Sequence, residues 1–148
     1  TRKWVHDRQQ DYTHFITLAT NDPMITQEAA TRMLRAWDAR VNHALLGSKW
    51  QKRPDERIVW FACLEGLNSA CHWHLLARLS WDMPEAKQEK PEAVDLKGTV
   101  DFHWKRIASR GSTETLLIHD SGAHDYVTKR LNNPDYVGGF VDSLWFKR

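Results

Sequence analysis

The sequence predicts an α+β domain in which helices cover one face of a central antiparallel β-sheet. Short segments rich in β-branched and aromatic residues alternate along the chain with segments whose apolar residues recur at helical spacing. Two of the strand segments are separated by only a short turn, so they should pair as an antiparallel hairpin. The resulting order of strand, helix, two strands, helix, strand and helix is that of a ferredoxin-like sandwich.

The first strand and the first helix have clear boundary signals. Residues 13–20 alternate in polarity and are rich in β-branched residues, as is typical of a strand. Thr26 suits the N-cap of a long helix, because its hydroxyl can accept a hydrogen bond from a free N–H in the first turn. Apolar residues then recur at helical spacing until Gly47 ends the helix. A basic, polar loop over residues 48–56 follows.

The middle of the chain predicts the hairpin and a second helix. Residues 58–65 and 70–79 are the two hairpin strands. Residues 80–98 are polar and contain two prolines, which predicts a long loop. The apolar positions of residues 99–109 fit a strand as well as a helix, and we choose the helix.

The last third of the chain is less regular. Residues 113–119 predict a fourth strand, and residues 123–131 predict a further helix that ends at Asn132-Asn133-Pro134. Residues 136–148 contain glycine and aromatic residues and predict no regular element.

Composition indicates one domain over residues 1–148 with an ordinary core. The chain is 41% hydrophobic, carries a net charge of +2 and has eight tryptophans, of which most should be buried. A basic cluster, Lys49-Trp50-Gln51-Lys52-Arg53, permits nucleic-acid binding without requiring it. There is no apolar segment of membrane-spanning length and there are only two cysteines, so we expect a reduced, cytoplasmic-type protein with no membrane partner.

The hairpin carries a candidate metal site. Side chains alternate between the faces of a strand, so His72 and His74 point the same way. Any antiparallel register that pairs Glu65 with either histidine places all three side chains on one face. Two imidazoles and a carboxylate can ligate a divalent metal and leave coordination positions for a substrate. The same register puts Cys63 and Cys71 on opposite faces, so we expect no disulfide between them.

A candidate nucleophile lies near the end of the chain. Tyr126 and Lys129 are three residues apart on a predicted helix and therefore share a face. A phenol is protonated at neutral pH and attacks poorly, so a nearby cation and a metal-polarised electrophile would both assist it.

Three motifs together resemble the HUH endonucleases, and within them the rolling-circle replication initiator (Rep) proteins. Residues 15–20 (FITLAT) are similar to the first motif of that family, an apolar-Thr-Leu strand. His72-Trp73-His74 matches its metal-binding His-apolar-His motif, and Tyr126-Val127-Thr128-Lys129 matches its Tyr-x-x-Lys nucleophile motif. The motifs occur in the family's order and span roughly residues 13–131.

The resemblance implies an HUH endonuclease fold and a sequence-specific cut in single-stranded DNA. By this resemblance His72, His74 and Glu65 would hold Mg²⁺ or Mn²⁺, and Tyr126 would attack the scissile phosphorus. The products would be a 5′-phosphotyrosine link and a free 3′-hydroxyl, and the link would permit later strand joining. Lys129 would contact phosphate or help to position the metal and the tyrosine.

The resemblance also implies a partner and a location. The DNA would be a replication origin, with or without a stem-loop, in the cytoplasm for a bacterial, plasmid or phage protein and in the host nucleus for a viral one. The chain begins at Thr1 rather than Met, which makes it a candidate fragment of a longer initiator. It contains no Walker motif, so a helicase, if one exists, would lie outside these 148 residues, in another domain or in a partner.

Several alternatives remain open at this point. His119, His124 and Asp125 compete with Glu65 as the third metal ligand. A relaxase-type protein would use an early nucleophile, for which Tyr12 is the candidate, and a single-tyrosine HUH transposase has a similar motif layout.

Two further alternatives belong to other functional classes. A non-catalytic single-strand binding module would stack bases on Trp50, Trp60 or Trp73. A zinc hydrolase would use the same two histidines and glutamate without the tyrosine.

Overall fold

A computed structural model of the protein describes residues 12–79, 95–118, 122, 125 and 139–146. Within these residues the chain forms five strands and two α-helices. The strands are β1 (His14–Ala19), β2 (Val59–Glu65), β3 (His72–Arg78), β4 (Ser112–Leu117) and β5 (Phe140–Asp142), and the helices are α1 (Gln27–Leu46) and α2 (Leu96–Ile107). Neither described helix has the length and apolar content that a membrane span requires.

The predicted α+β architecture is confirmed. The strands form one sheet in the order β4-β1-β3-β2-β5, and every neighbouring pair is antiparallel. Along the chain the order is β1-α1-β2-β3-α2-β4, with β3 lying between β1 and β2, as in a split βαβ arrangement. Both described helices pack on the same face of the sheet, where their apolar residues share one core with β1, β2 and β3.

The helix boundaries follow from their caps. Thr26 accepts a hydrogen bond from the backbone N–H of Ala29, and Gly47 follows the last turn of α1 with a φ of 86°, which favours glycine. The second helix is confirmed as a helix, but it begins at Leu96 rather than at residue 99. The reason is Asp95, which caps α2 by accepting a hydrogen bond from the N–H of Gly98.

Two segments contain elements that the sequence did not predict. The basic loop over residues 48–56 includes two short 3₁₀ turns, Trp50–Lys52 and Pro54–Glu56. Near the C-terminus, β5 extends the sheet beyond β2, and a 3₁₀ turn over Ser143–Phe146 follows it. β5 has only three residues, too few for an alternating pattern to be recognised.

Two predicted segments fall largely outside the described residues. Most of the predicted loop over residues 80–98 is not described. Of the predicted helix over residues 123–131, only Asp125 is described, and its backbone is helical.

Four fully buried tryptophans connect the helices to the sheet and to each other. They are Trp37, Trp60, Trp73 and Trp104. Their indole N–H groups donate, in that order, to Val100 O at 3.3 Å, Asp38 Oδ1 at 2.8 Å, Ala30 O at 3.0 Å and Ala19 O at 2.8 Å. Each bond joins two different elements and satisfies a polar group that would be costly to bury alone. The alternative in which Trp60 and Trp73 stack bases is therefore wrong, because both rings lie inside the core.

A polar network supports the junction between α1 and β2. Asn42 is fully buried and accepts a hydrogen bond from the backbone N–H of Ile58 at 2.9 Å. Its amide group donates to Asp38, at 2.9 Å to the backbone oxygen and 3.2 Å to the carboxylate. That carboxylate also accepts the indole N–H of Trp60. Asn42 therefore satisfies the N–H of the residue immediately before β2 and holds a buried carboxylate in place.

Replacing Asn42 with Ala should lower the free energy of unfolding by about 2–4 kcal/mol, because it leaves the Ile58 N–H unsatisfied and removes a partner of Asp38. Urea denaturation followed by circular dichroism measures the change. The matched control is Thr31→Ala, which truncates a half-buried polar residue near the start of the same helix and should cost no more than about 0.5 kcal/mol. Equal losses in the two variants would contradict a structural role for the network.

Candidate metal centre

The register of the hairpin brings Glu65, His72 and His74 together. Glu65 lies directly opposite His72 in the β2–β3 pairing, and Cys63 lies opposite His74. All three candidate ligands therefore occupy the sheet face that is turned away from α1 and α2, as the sequence predicted. Leu64 and Trp73 point the other way, into the core.

The two cysteines are on opposite faces and form no disulfide with each other, as expected. Cys63 belongs to a small apolar cluster on the face that carries the histidines, whereas Cys71 belongs to the main core. Burial raises the pKa of the Cys71 thiol, so this thiol stays neutral over the physiological range.

Glu65 Oε2 contacts both histidines. It lies 3.2 Å from His72 Nε2 and 3.2 Å from His74 Nε2. One ligand atom from each of the three residues lies within 4.8 Å of the others, and within the described chain this is the one such group of three or more His, Cys, Asp or Glu residues. The three residues therefore form a cluster that could hold a metal ion.

The distances and the donor set fit a single divalent ion. Ligand atoms held about 2.0–2.2 Å from one ion, at tetrahedral or octahedral angles, are separated from each other by about 2.8–3.6 Å. Two of the three separations in the cluster, both 3.2 Å, fall in this range. Two imidazole nitrogens and one carboxylate also match the ligands that Mn²⁺ and Zn²⁺ accept.

The two ring nitrogens of His72 face different hydrogen-bond acceptors. Nδ1 lies 3.4 Å from the backbone oxygen of Ala70, and Nε2 lies 3.2 Å from Glu65 Oε2. A neutral imidazole carries one N–H, so it can donate to only one of these oxygens. The tautomer with the proton on Nδ1 presents the lone pair of Nε2 towards the carboxylate, and this is the form that a metal ion shared with Glu65 would bind.

Strand β1 orients the second histidine. Thr17 lies opposite His74 in the β1–β3 register, and its hydroxyl is 3.1 Å from His74 Nδ1. The ring of Phe15 stacks on the same imidazole, with centroids 5.4 Å apart and planes 18° apart. If Nδ1 donates to Thr17, Nε2 carries the lone pair that binds a metal, which is the usual arrangement around a ligating histidine.

Gly66 allows the hairpin turn to pass close to His72. Its φ is 74°, in the left-handed region that favours glycine. A Cβ atom at this position would lie 2.9 Å from the backbone oxygen of Ala70 and 3.4 Å from His72 Nδ1. The turn therefore admits no larger residue without displacing the carbonyl that contacts the imidazole.

The ligands differ in how far they are exposed. The side chain of His72 is 29% exposed, whereas those of Glu65 and His74 are 12% and 11% exposed. Glu65 and His74 would therefore hold a bound ion from the covered side of the site, and solvent or a substrate would reach the ion from the side of His72.

Sequence reasoning found the three clustered residues and missed those that orient them. The strand containing Thr17 and Phe15 was recognised, but not its contact with His74. The alternation of β1 predicts that Thr17 and Phe15 lie on one face of the strand. The sequence does not show which residues of a strand more than 50 residues away lie opposite them.

The other proposed site residues have different outcomes. Tyr126 and Lys129 lie outside the described residues, as do the alternative ligands His119 and His124. Asp125 is described, is exposed and does not belong to the cluster. Among the described candidates for the third ligand, the structure therefore favours Glu65.

No protein-family model, curated protein or solved structure matches the chain.

A metal ion at the cluster should stabilise the fold. With free Mn²⁺ about 100-fold above its Kd, the linkage relation gives about 2.7 kcal/mol of stabilisation. Thermal denaturation should thus show a higher melting temperature with Mn²⁺ than with EDTA, and Glu65→Gln and His72→Ala should abolish the difference. His43→Ala, an exposed histidine of α1, is the control and should keep it. A shift that survives in the cluster variants would locate the bound metal elsewhere.

Thr17→Val should weaken Mn²⁺ binding about 10-fold, because the valine cannot accept the hydrogen bond from His74 Nδ1. Isothermal titration calorimetry measures the affinity. Thr17→Ser keeps the hydroxyl and should restore most of it. If the serine variant binds as weakly as the valine variant, the methyl group rather than the hydroxyl is what positions the imidazole.

Proposed function

We propose that this domain is a metal-dependent endonuclease of the HUH type that nicks single-stranded DNA to initiate rolling-circle replication. The observation that carries the proposal is the cluster of Glu65, His72 and His74 on two adjacent central strands. It gives the His-apolar-His motif the geometry that a metal-binding role requires. The motif order along the sequence adds the strand before it and the Tyr-x-x-Lys segment after it.

The proposed cofactor is Mn²⁺ or Mg²⁺. The mixed set of two nitrogens and one oxygen suits Mn²⁺ better, whereas Mg²⁺ prefers oxygen ligands alone. When bound, such an ion supplies electrostatic stabilisation to the scissile phosphate and helps to orient it. Three protein ligands leave coordination positions available for that purpose.

In the proposed reaction the phenolic oxygen of Tyr126 attacks the scissile phosphorus. A bond forms between that oxygen and phosphorus, the bond from phosphorus to the 3′-oxygen breaks, and the proton lost by the phenol is balanced by the proton gained by the 3′-hydroxyl. One phosphodiester replaces another, so the DNA remains activated for rejoining by the reverse step. Lys129 is proposed to balance the charge of the phosphate or of the developing phenolate.

The relaxase alternative is less well supported. Tyr12, its candidate nucleophile, is 6% exposed and packs against Phe61, Cys63 and Leu76 in the smaller apolar cluster. A nucleophile must reach a DNA phosphate, so a tyrosine buried among apolar side chains is poorly placed for this role. We therefore retain Tyr126 as the proposed nucleophile.

The proposal predicts a covalent protein–DNA adduct. Wild-type protein incubated with Mn²⁺ and pooled single-stranded oligonucleotides from candidate origins should give a band on a denaturing gel that is shifted by the mass of a DNA strand. The band should be absent with EDTA, in Tyr126→Phe and in His72→Ala. Tyr12→Phe is the matched control and should still form the adduct.

Two results would contradict parts of this proposal. An adduct that persists in Tyr126→Phe and disappears in Tyr12→Phe would support the relaxase alternative. Metal binding without an adduct on any DNA, together with Zn²⁺-dependent hydrolysis of another substrate, would support the zinc hydrolase.

A further inference from the structure

A groove on the helical side of the domain contains a concentration of basic side chains. It lies between α1 and α2, is open to solvent and has a volume of about 420 Å³. Its lining residues are Ala39, Arg40, His43, Trp50, His103 and Arg106. Arg40 and His43 are one turn apart on α1, as are His103 and Arg106 on α2, so both helices present two basic groups to the same space.

The positive charge of the groove is not neutralised by the described chain. Within the described residues, none of its two arginines and two histidines forms an ion pair with a carboxylate. The neighbouring Lys105, by contrast, lies 3.0 Å from Asp101. Partial burial lowers the pKa of His103, and so do the nearby positive groups Arg40, Arg106 and His43. The repulsion between like charges that are clustered in a concave site is reduced when an anion binds between them.

Trp50 adds an aromatic surface that is held in place. The guanidinium carbon of Arg57 lies 4.8 Å from the centroid of the indole ring. Arg57 is itself 5% exposed and donates to the backbone oxygens of Trp50, at 3.4 Å, and of Gln51, at 2.9 Å. The indole is therefore fixed in the lining of the groove, where a planar ring could stack on it with little loss of side-chain entropy.

From these contacts we propose that the groove binds single-stranded DNA, with a phosphate between Arg40 and Arg106 and the adjacent base stacked on Trp50. The planar guanidinium group of arginine can donate two parallel hydrogen bonds to phosphate oxygens. Stacking on an aromatic ring, with basic side chains beside it, is a general means of binding unpaired nucleotides. The volume is appropriate for one nucleotide.

The groove is separate from the metal centre. The helices cover the sheet face that carries Trp60 and Trp73, whereas the metal cluster lies on the opposite face. A nucleotide in the groove therefore belongs to a different part of the DNA from the one at the cluster. A role of the groove in DNA cleavage rests on the proposed function. Nucleotide binding by the groove does not depend on that function.

Fluorescence anisotropy with a labelled mixed-sequence single-stranded 10-mer tests the proposal. EDTA is present throughout, so neither metal binding nor cleavage contributes. Arg40→Gln/Arg106→Gln should weaken binding about 10-fold and reduce the slope of log K against log salt by about 0.7, the value for one lost phosphate contact on a single strand. The matched control, Arg32→Gln/Arg110→Gln, removes the same charge from exposed residues outside the groove and should stay within about 2-fold of wild type.

A second comparison isolates the stacking contact. Trp50→Ala should bind the normal 10-mer about 10-fold more weakly than wild type does, a loss typical of one stacked base. On an abasic sugar–phosphate 10-mer the two proteins should bind alike, because there is no base to stack. Circular dichroism and the melting temperature of each variant establish that it is folded.

Three outcomes would overturn the proposal. Equal losses in the groove pair and the control pair would mean that net charge alone attracts DNA. In a competition experiment, equal displacement of the oligonucleotide by inorganic phosphate and by dAMP would mean that the groove binds phosphate without recognising a base. A Trp50→Ala loss of equal size on the abasic strand would exclude stacking. Groove binding by a wild-type protein that never forms a covalent adduct would instead reject the proposed cleavage and leave the groove site standing.

Discussion

The antiparallel register of β2 and β3 is the constraint on which the candidate site depends. Leu64 and Trp73 lie opposite each other in that register and are fully buried against the helices. Because successive side chains point to opposite faces, burying these two residues forces Glu65, His72 and His74 onto the other face. A slip of one residue would carry the histidines into the apolar core and the tryptophan out of it. The hydrophobic core thus fixes the position of the polar cluster.

The tryptophans extend that constraint from the sheet to the helices. Apolar surfaces can slide over one another, but an indole N–H that must meet a particular carbonyl oxygen cannot. Trp73 of β3 is bonded to Ala30 of α1, and Trp104 of α2 is bonded to Ala19 of β1. Trp37 joins the two helices through Val100. The same bonds fix how α1 lies beside α2, and therefore the width of the basic groove between them.

Features encoded by neighbouring residues could be predicted from the sequence, and features that depend on distant pairing could not. The caps at Thr26 and Gly47 and the shared face of the hairpin ligands follow from local chemistry and from strand periodicity. The cap at Asp95 was missed because it lies in a polar segment that resembles a loop. The contact between Thr17 and His74 depends on how strands more than 50 residues apart align. The groove depends on which faces of two helices meet, and no pattern within either helix specifies that.

The spacing of the ligands has a consequence for how the domain assembles. All three lie within ten residues of the chain, on either side of one turn, so forming the hairpin alone brings them together and closes only a short loop. Thr17 holds His74 in a single orientation. It reaches His74 only when β1 pairs with β3, and these strands are much farther apart in sequence. The difference in sequence separation therefore predicts that the ligand set forms before its orientation is fixed. An ion could be captured by the nascent hairpin and become tightly held only once β1 has docked.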